Sequence, residues 1–232
     1  MLQPRIFSYS YWYIKLKILK SVCQWLVFDG EFGYDDRHDI VEQLKPLNLY
    51  GESKNDFDKW ALKQDKTPPN WYGLKYFNVY GPNEYHKDDM RSVVHKSFGQ
   101  IMKTGSVKLF KSHKDGYKNG EQKRDFIYVK DAVDMTLYFY KNKTINGLFN
   151  VGTGKSRTWV DLVTAVFNAM EKPVSIEFID MPDHLREKYQ YFTEAKIDKI
   201  INAGYKNKIS SLEEGITDYV KNYLMTDSYL DK

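Results

Sequence analysis

From Asp29 onward, short apolar runs alternate with amphipathic stretches, separated by polar punctuation. Asp29-Gly30 and Phe32-Gly33 mark a polar loop that ends at Pro46. Asn48 suits the N-cap of a helix over about 49–64, and Thr67-Pro68-Pro69 stops it. Leu74 to Tyr80 reads as a strand closed by Gly81-Pro82, with a polar loop through Asp89. Ser92 to Lys103 predicts a helix, Val107 to Lys111 a short strand, and 112–122 a Gly/Lys/Asn loop. A strand at Asp125–Val129 leads into a helix over about 131–142. Leu148 to Val151 is a strand, Thr158 caps a helix to about Met170, and Val174 to Ile179 is a strand. Helices are predicted at about 193–203 and 212–224, the second opened by Ser210-x-x-Glu213, a capping-box pattern. Strands alternating with helices predict an α/β protein. There is no internal repeat and no low-complexity linker.

Residues 1–28 follow a different pattern. They are crowded with aromatics, carry Arg5, Lys15, Lys17 and Lys20, and contain no Asp or Glu. Those lysines interrupt the apolar run that a signal peptide or a membrane span requires. Ile14-Lys15-Leu16-Lys17-Ile18 alternates with a strand period, against a surface-lying amphipathic helix. The segment reads as a poorly specified tail, or as a strand without its natural neighbours.

Composition sharpens this division. The chain has 232 residues and a net charge of +4, with 35 basic and 31 acidic side chains. The four basic residues of the first segment account for the excess, so the remainder is neutral. A nucleic-acid surface is not implied. Hydrophobic residues make up 42% of the chain at a mean hydropathy of −0.62, which suits a globular protein and leaves no room for a membrane bundle. A single cysteine, Cys23, excludes an intramolecular disulfide and a Cys-based zinc site, and suits a reducing compartment such as the cytoplasm. The five histidines show no metal-ligand spacing, so no metal is expected.

Tyr50 and Lys54 stand four apart on a predicted helix, hence on one face. A nearby ammonium favours the phenolate, and such a tyrosine can exchange a proton with a hydroxyl or carbonyl. The spacing alone is weak: roughly two or three such pairs are expected by chance. Tyr11/Lys15 and Tyr13/Lys17 also match, but only Tyr50/Lys54 sits on a credible helix after a Pro-bounded loop. Gly152-Thr153-Gly154-Lys155-Ser156 fails the phosphate-loop pattern, because Phe149 stands where its first glycine belongs. A strand-to-helix turn offering backbone N–H groups is the better reading. No Gly-x-Ser-x-Gly elbow supports a hydrolase. Arg124, Lys111 and Lys114 could contact a diphosphate, or serve only as exposed charge. Tyr76, Phe77, Tyr138 and Phe139 read as core.

The order of segments carries more than any single motif. Pro46-Leu47-Asn48-Leu49-Tyr50-Gly51-Glu52-Ser53-Lys54 is followed by Tyr76-Phe77-Asn78-Val79-Tyr80-Gly81-Pro82 and by His86-Lys87. Then come Lys123-Arg124-Asp125-Phe126-Ile127-Tyr128-Val129, Phe149-Asn150-Val151-Gly152-Thr153-Gly154 and Tyr189-Gln190-Tyr191-Phe192-Thr193. From residue 29 to about 224 this series resembles the extended short-chain dehydrogenase/reductase family. The Glu-Tyr-His-Lys loop and the Tyr-Gln-x-Phe-Thr run are similar to its ADP-glyceromanno-heptose 6-epimerase group, which serves lipopolysaccharide core biosynthesis.

The resemblance implies a tightly held NADP and inversion at C6 of an ADP-heptose by transient oxidation and reduction. By residue matching, Tyr50 and Lys87 correspond to the two acid/bases. Lys54, Val79 and Lys87 correspond to cofactor contacts. Asn78, Asp89, Lys96, Phe110, Lys111, Ser112, His113, Arg124 and Tyr189 correspond to substrate contacts. Asp89 stands where the family has a small serine, and Lys96 where it has a substrate-binding histidine. The implied partners are an ADP-sugar and, for the complete family enzyme, further copies of itself, with no nucleic acid or membrane.

The resemblance also implies a partial Rossmann-type parallel sheet without its first βαβ units, interleaved with a smaller α/β substrate domain. Residues 29–78 and 125–150 are assigned to the cofactor side, 79–124 and 151–224 to the substrate side, and 225–232 to a tail. The family's glycine-rich dinucleotide fingerprint occurs nowhere in this sequence. Residues 1–28 are therefore expected to be a non-family start on a truncated gene. Gapless matching back from Asp29 puts Cys23 at the family's active-site Ser position, an equivalence not adopted for a non-family segment. Two other readings stand beside the epimerase. One is an inactive fragment that at most binds sugar nucleotide or joins intact subunits; the other is a different NAD-dependent sugar-nucleotide epimerase or dehydratase.

Overall fold

A computed structural model describes residues 28–29, 35–46, 49–143, 145–186 and 189–230. The expectations for residues 1–27, Cys23 included, and for Asn48 as a cap lie outside these residues. In chain order the elements are β1 (Phe28–Asp29), β2 (Lys45–Pro46), α1 (Leu49–Leu62), β3 (Tyr72–Tyr76) and β4 (Asn78–Tyr80). Then follow α2 (Val93–Thr104), β5 (Val107–Phe110), β6 (Lys123–Tyr128), α3 (Val129–Lys141), β7 (Gly147–Val151) and β8 (Ser156–Thr158). The last are α4 (Trp159–Ala169), β9 (Ile176–Ile179), α5 (Asp183–Arg186), α6 (Asp198–Asn202) and α7 (Leu212–Tyr219).

Three parallel pairings organise the chain: β3 with β7, β4 with β6, and β5 with β9. β8 adds antiparallel to β6, and β1 pairs antiparallel with β2. Side chains of β6 alternate between two hydrophobic cores, as a period of two requires. Phe126 and Tyr128 enter one with Val94, Val166 and Ile216; Ile127 enters the other with Leu74, Phe139 and Phe149. Phe77 and Phe139 are buried and Tyr76 and Tyr138 pack on the second core, as the sequence suggested.

Several expectations are corrected. The region before Pro46 is not simply a polar loop, because a 3-10 helix at His38–Gln43 buries Ile40 and Val41. Its first residue and the Asp36 before it seal an edge of β7: the Leu148 N–H donates to His38 Nε2 at 3.2 Å and the Asn150 N–H to Asp36 Oδ2 at 2.8 Å. Edge strands need such covering. The single strand expected over 74–80 is two, parted at Phe77, whose N–H donates to the Val151 carbonyl at 3.0 Å.

The helix expected over 193–203 shrinks to Asp198–Asn202. This stretch bonds to strands instead: Thr193 donates its N–H to Lys123 O at 3.1 Å and accepts from the Asp125 N–H at 3.3 Å on β6, and Glu194 accepts from the Ser156 N–H of β8 at 2.8 Å. The capping box of α7 falls one residue later than expected. Ser211 and Glu214 exchange bonds of 3.1 and 2.8 Å, while Ser210 is held by Asp131. Thr158 does cap α4, in a full capping box with Asp161.

Candidate active site

Two cavities open beside β6 and meet at Val93, Lys96 and Trp159. The larger, about 460 Å³, lies between α2 and the β5/β9 pair and is lined by Phe110, Arg124, Trp159, Ile179 and Tyr189, among others. It is mainly apolar with a cation in its wall. Arg124, 4% exposed, sets its guanidinium 5.5 Å from the centre of the Tyr189 ring and 5.7 Å from that of Trp159. Its N–H groups donate to Lys123 O at 2.8 Å and to Gln190 O, which fixes the fork. Trp159 Nε1 donates to the Tyr189 hydroxyl at 3.1 Å, and Phe110 meets Tyr189 edge to face at 6.5 Å. Burial pushes the Tyr189 phenol up, with Arg124 opposing. An aromatic wall beside a fixed guanidinium suits a base and its phosphates.

The smaller cavity, about 120 Å³, is bounded by Asn78, Val79, Asp89, Lys96 and Phe126, among others. β4 delivers Asn78 and Val79, and ends at Gly81, where φ is 150°. A Cβ there would stand 2.3 Å from Val129 Cγ1, so only glycine lets β4 end against α3. The loop after it is closed by buried Glu84, whose carboxylate accepts from the Gly81 N–H at 2.9 Å and from the Ser92 N–H. Ser92 then caps α2, accepting from the His95 N–H at 3.3 Å. Lys96 Nζ reaches back to the Asp89 carbonyl at 2.6 Å, tying α2 to the loop.

Tyr50 and Lys54 share a face of α1, with Lys54 Nζ 5.2 Å from the Tyr50 ring centre. Neither lines the two cavities. α1 is held to β3 by an ion pair between Asp58 and Lys75, 3.0 Å apart and almost fully buried. β3 leads directly to Asn78, so the pair ties α1 to the strand that lines the smaller cavity.

The structure thus brings Asn78, Val79, Asp89 and Lys96 around one cavity, and Lys96, Phe110, Arg124 and Tyr189 around the other. Lys87 lies on the intervening loop but lines neither. Lys111, Ser112 and His113 continue from β5 outside the cavity wall. Lys111 pairs with Asp180 at 3.2 Å, the Ser112 N–H donates to Asn119 Oδ1 at 2.9 Å, and the His113 N–H donates to the Tyr191 hydroxyl at 2.9 Å.

The turn at Gly152–Ser156 does not present its N–H groups to a ligand. The Thr153 and Gly154 N–H groups donate to Asp125 at 2.8 and 2.9 Å, joined by the Ala195 N–H at 3.0 Å. Trp159, which lines both cavities, carried no motif, and Asp125 stood in a quoted run without a role of its own. Thr158's capping signal places Trp159 at a helix start, but nothing local shows which cavity it faces.

Residues 29–152 match the NAD dependent epimerase/dehydratase family, and the chain belongs to that family. The fold is the Rossmann-type α/β fold of its extended members. The chain is 53% identical over 196 residues to the ADP-L-glycero-D-manno-heptose-6-epimerase of Nitratidesulfovibrio vulgaris strain DP4, covering 84% of this chain and 60% of that protein. It is 50% identical over 210 residues to the enzyme of the same name from Fusobacterium nucleatum, covering 87% and 63%. The chain therefore spans about three-fifths of the length of these relatives. Among solved structures, the Helicobacter pylori ADP-L-glycero-D-manno-heptose-6-epimerase aligns at a TM-score of 0.68 and 26% identity, over 90% of this chain and 61% of that one. The Thermus thermophilus UDP-glucose 4-epimerase, solved with NAD, aligns at 0.67 and 22% identity, over 90% and 65%, and shares the fold.

Proposed function

We propose that this chain is the substrate-binding part, together with the Tyr50 helix, of an ADP-L-glycero-D-manno-heptose 6-epimerase. The observation that carries it is 50–53% identity with curated enzymes of that name across most of this chain. The larger cavity supports it. Its aromatic wall of Phe110, Tyr189 and Trp159 suits an adenine, and Arg124 and Lys96 suit the diphosphate that follows. Asn78 and Asp89 line the smaller cavity, where the heptose would lie. Lys111, Ser112 and His113 would close over the nucleotide.

The residues present fit one end of NADP. Tyr50 and Lys54, side by side on α1, suit the nicotinamide ribose, and Val79 the ring. When bound, that group supplies hydride acceptance and return at the heptose C6. The chain's own residues handle the protons: the Tyr50 hydroxyl on one face of the carbon and the Lys87 amine on the other, as an inversion requires. Lys87 would also touch the cofactor. No glycine-rich turn for the pyrophosphate is present in this sequence.

A second reading is that this chain binds sugar nucleotide without turning it over. Residues 29–78 and 125–150 would then be the remainder of the cofactor side, and 79–124 with 151–224 the working substrate side. The whole enzyme would be a cytoplasmic homo-oligomer. Three incubations of the purified chain decide among these readings. Epimerisation of ADP-heptose but not UDP-glucose, followed by NMR, supports the first. ADP-heptose binding without stoichiometric NADP binding supports the second, and binding of neither overturns both.

A further inference from the structure

We infer that residues 223–230 form a strap that positions the Lys87 loop, an inference that rests on the proposed role of Lys87. The loop between Gly81 and Ser92 has a costly backbone. Asn83 has φ 70° and Asp88 φ 44° with ψ −121°, both in the left-handed half that side-chain-bearing residues avoid. Such a segment keeps its shape only where its surroundings over-determine it.

Two devices do so. Inside, the buried Glu84 carboxylate gathers the N–H groups of Gly81 and Ser92, so one acid joins both ends of the loop. Outside, the chain returns over the loop after α7 and the π-helical turn Val220–Leu224. The Tyr85 hydroxyl donates to Tyr223 O at 3.2 Å, and the Tyr85 and Tyr229 rings stand 4.9 Å apart. The Leu230 N–H donates to Asn83 Oδ1 at 3.0 Å, so the strained residue is itself held by the strap. On its other side Tyr85 meets the His95 ring of α2 edge-on at 5.4 Å. Tyr85 is thus clamped between α2 and the strap. Two residues on stands Lys87, whose N–H donates to Glu84 O at 3.0 Å. Tyr229 and Leu230 line neither cavity, so they act through the loop and are positioning residues.

The test uses the full chain with Tyr229→Ala, Tyr229→Phe and Asn83→Gly, the last keeping the left-handed backbone without the acceptor. Lysines are dimethylated with carbon-13, which preserves their charge, and the Lys87 signal is assigned with Lys87→Arg. Losing one stack or one hydrogen bond predicts about tenfold faster amide exchange over 85–90. The Lys87 resonance shifts in Tyr229→Ala and Asn83→Gly, and Tyr229→Phe restores both readouts. Thermal midpoint and ADP affinity at the Arg124 cavity stay unchanged. Unaltered exchange and an unaltered Lys87 signal in both loss variants would overturn the strap, as would a fall in midpoint that accounts for the faster exchange. Undiminished epimerisation by Lys87→Met would remove the proton-handling role alone, leaving the strap to be judged on its own readouts.

Discussion

The Lys75 ammonium lies 3.0 Å from the Asp58 carboxylate, with the two side chains 2% and 0% exposed. This pair joins α1, which carries Tyr50 and Lys54, to β3, which leads to Asn78. A buried ion pair is weak in net terms, but its partners depend on each other. Asp58→Asn is therefore expected to destabilise by about 3–5 kcal/mol, because Lys75 is left as an unpaired buried charge. Replacing both by Leu and Met is expected to be near neutral. Urea unfolding of the single and double variants measures this; a loss below about 1 kcal/mol for the single variant would match an exposed pair instead.

His38 gives a pH dependence of definite sign. Its Nε2 accepts the Leu148 N–H, so the ring must be neutral there. Its pKa is lowered to about 4 by burial first, then by the ammonium groups of Lys199 and Lys75. Gly147, at φ 113°, leaves space for the ring, since a Cβ would stand 2.2 Å from Nε2. The unfolded chain binds this proton near pH 6.5. Its contribution is thus complete above that pH and is lost as pH falls from about 6.5 toward 4. His38→Gln, which keeps an acceptor, is expected to flatten this part of the stability profile. An unchanged slope between pH 7 and 4 in that variant would remove His38 as its source.

Much of the fold was legible because local signals and burial agree. Ser92, Thr158 and the apolar spacing of α2 and α4 mark real helix boundaries. Legibility ended where distant groups compete for the backbone. Residues 193–197 have helix-forming residues, yet the Thr193 N–H and hydroxyl and the Ala195 N–H serve Lys123 and Asp125 across the chain. Of the residues lining the larger cavity, Arg124 and Tyr189 were named by the resemblance. Trp159, which completes their wall, was not, because its position depends on how α4 packs against β6.

Asp125 shows what such a distant tie contributes. Its buried carboxylate accepts from the Thr153 N–H and hydroxyl, both at 2.8 Å, and from the Gly154 and Ala195 N–H groups. It therefore fixes the turn after β7 and the extended segment at 195 together. Asp125→Asn puts an amide donor where N–H donors already converge. A loss of about 3 kcal/mol is expected, with faster amide exchange at 153–154 and 195. A stability change within about 0.5 kcal/mol would show that the turn holds without this acceptor.

Arg124 makes the sharpest prediction about binding. Its guanidinium lies against both Trp159 and Tyr189 while its N–H groups are fixed by Lys123 O and Gln190 O. A lysine supplies a charge without the planar fork or the stacking surface. Arg124→Lys is expected to weaken ADP binding by about tenfold to a hundredfold, and Arg124→Ala by at least as much. Trp159→Phe keeps an aromatic side chain but loses the 3.1 Å bond to the Tyr189 hydroxyl and part of the ring surface facing Arg124, so about a fivefold loss is expected. Calorimetric titration with ADP and, separately, adenosine divides the contributions. Arg124→Lys should weaken ADP far more than adenosine, whereas Trp159→Phe should weaken the two alike. Equal losses of both ligands in Arg124→Lys would assign the guanidinium to the base, and would move the diphosphate toward Lys96 at the junction of the two cavities.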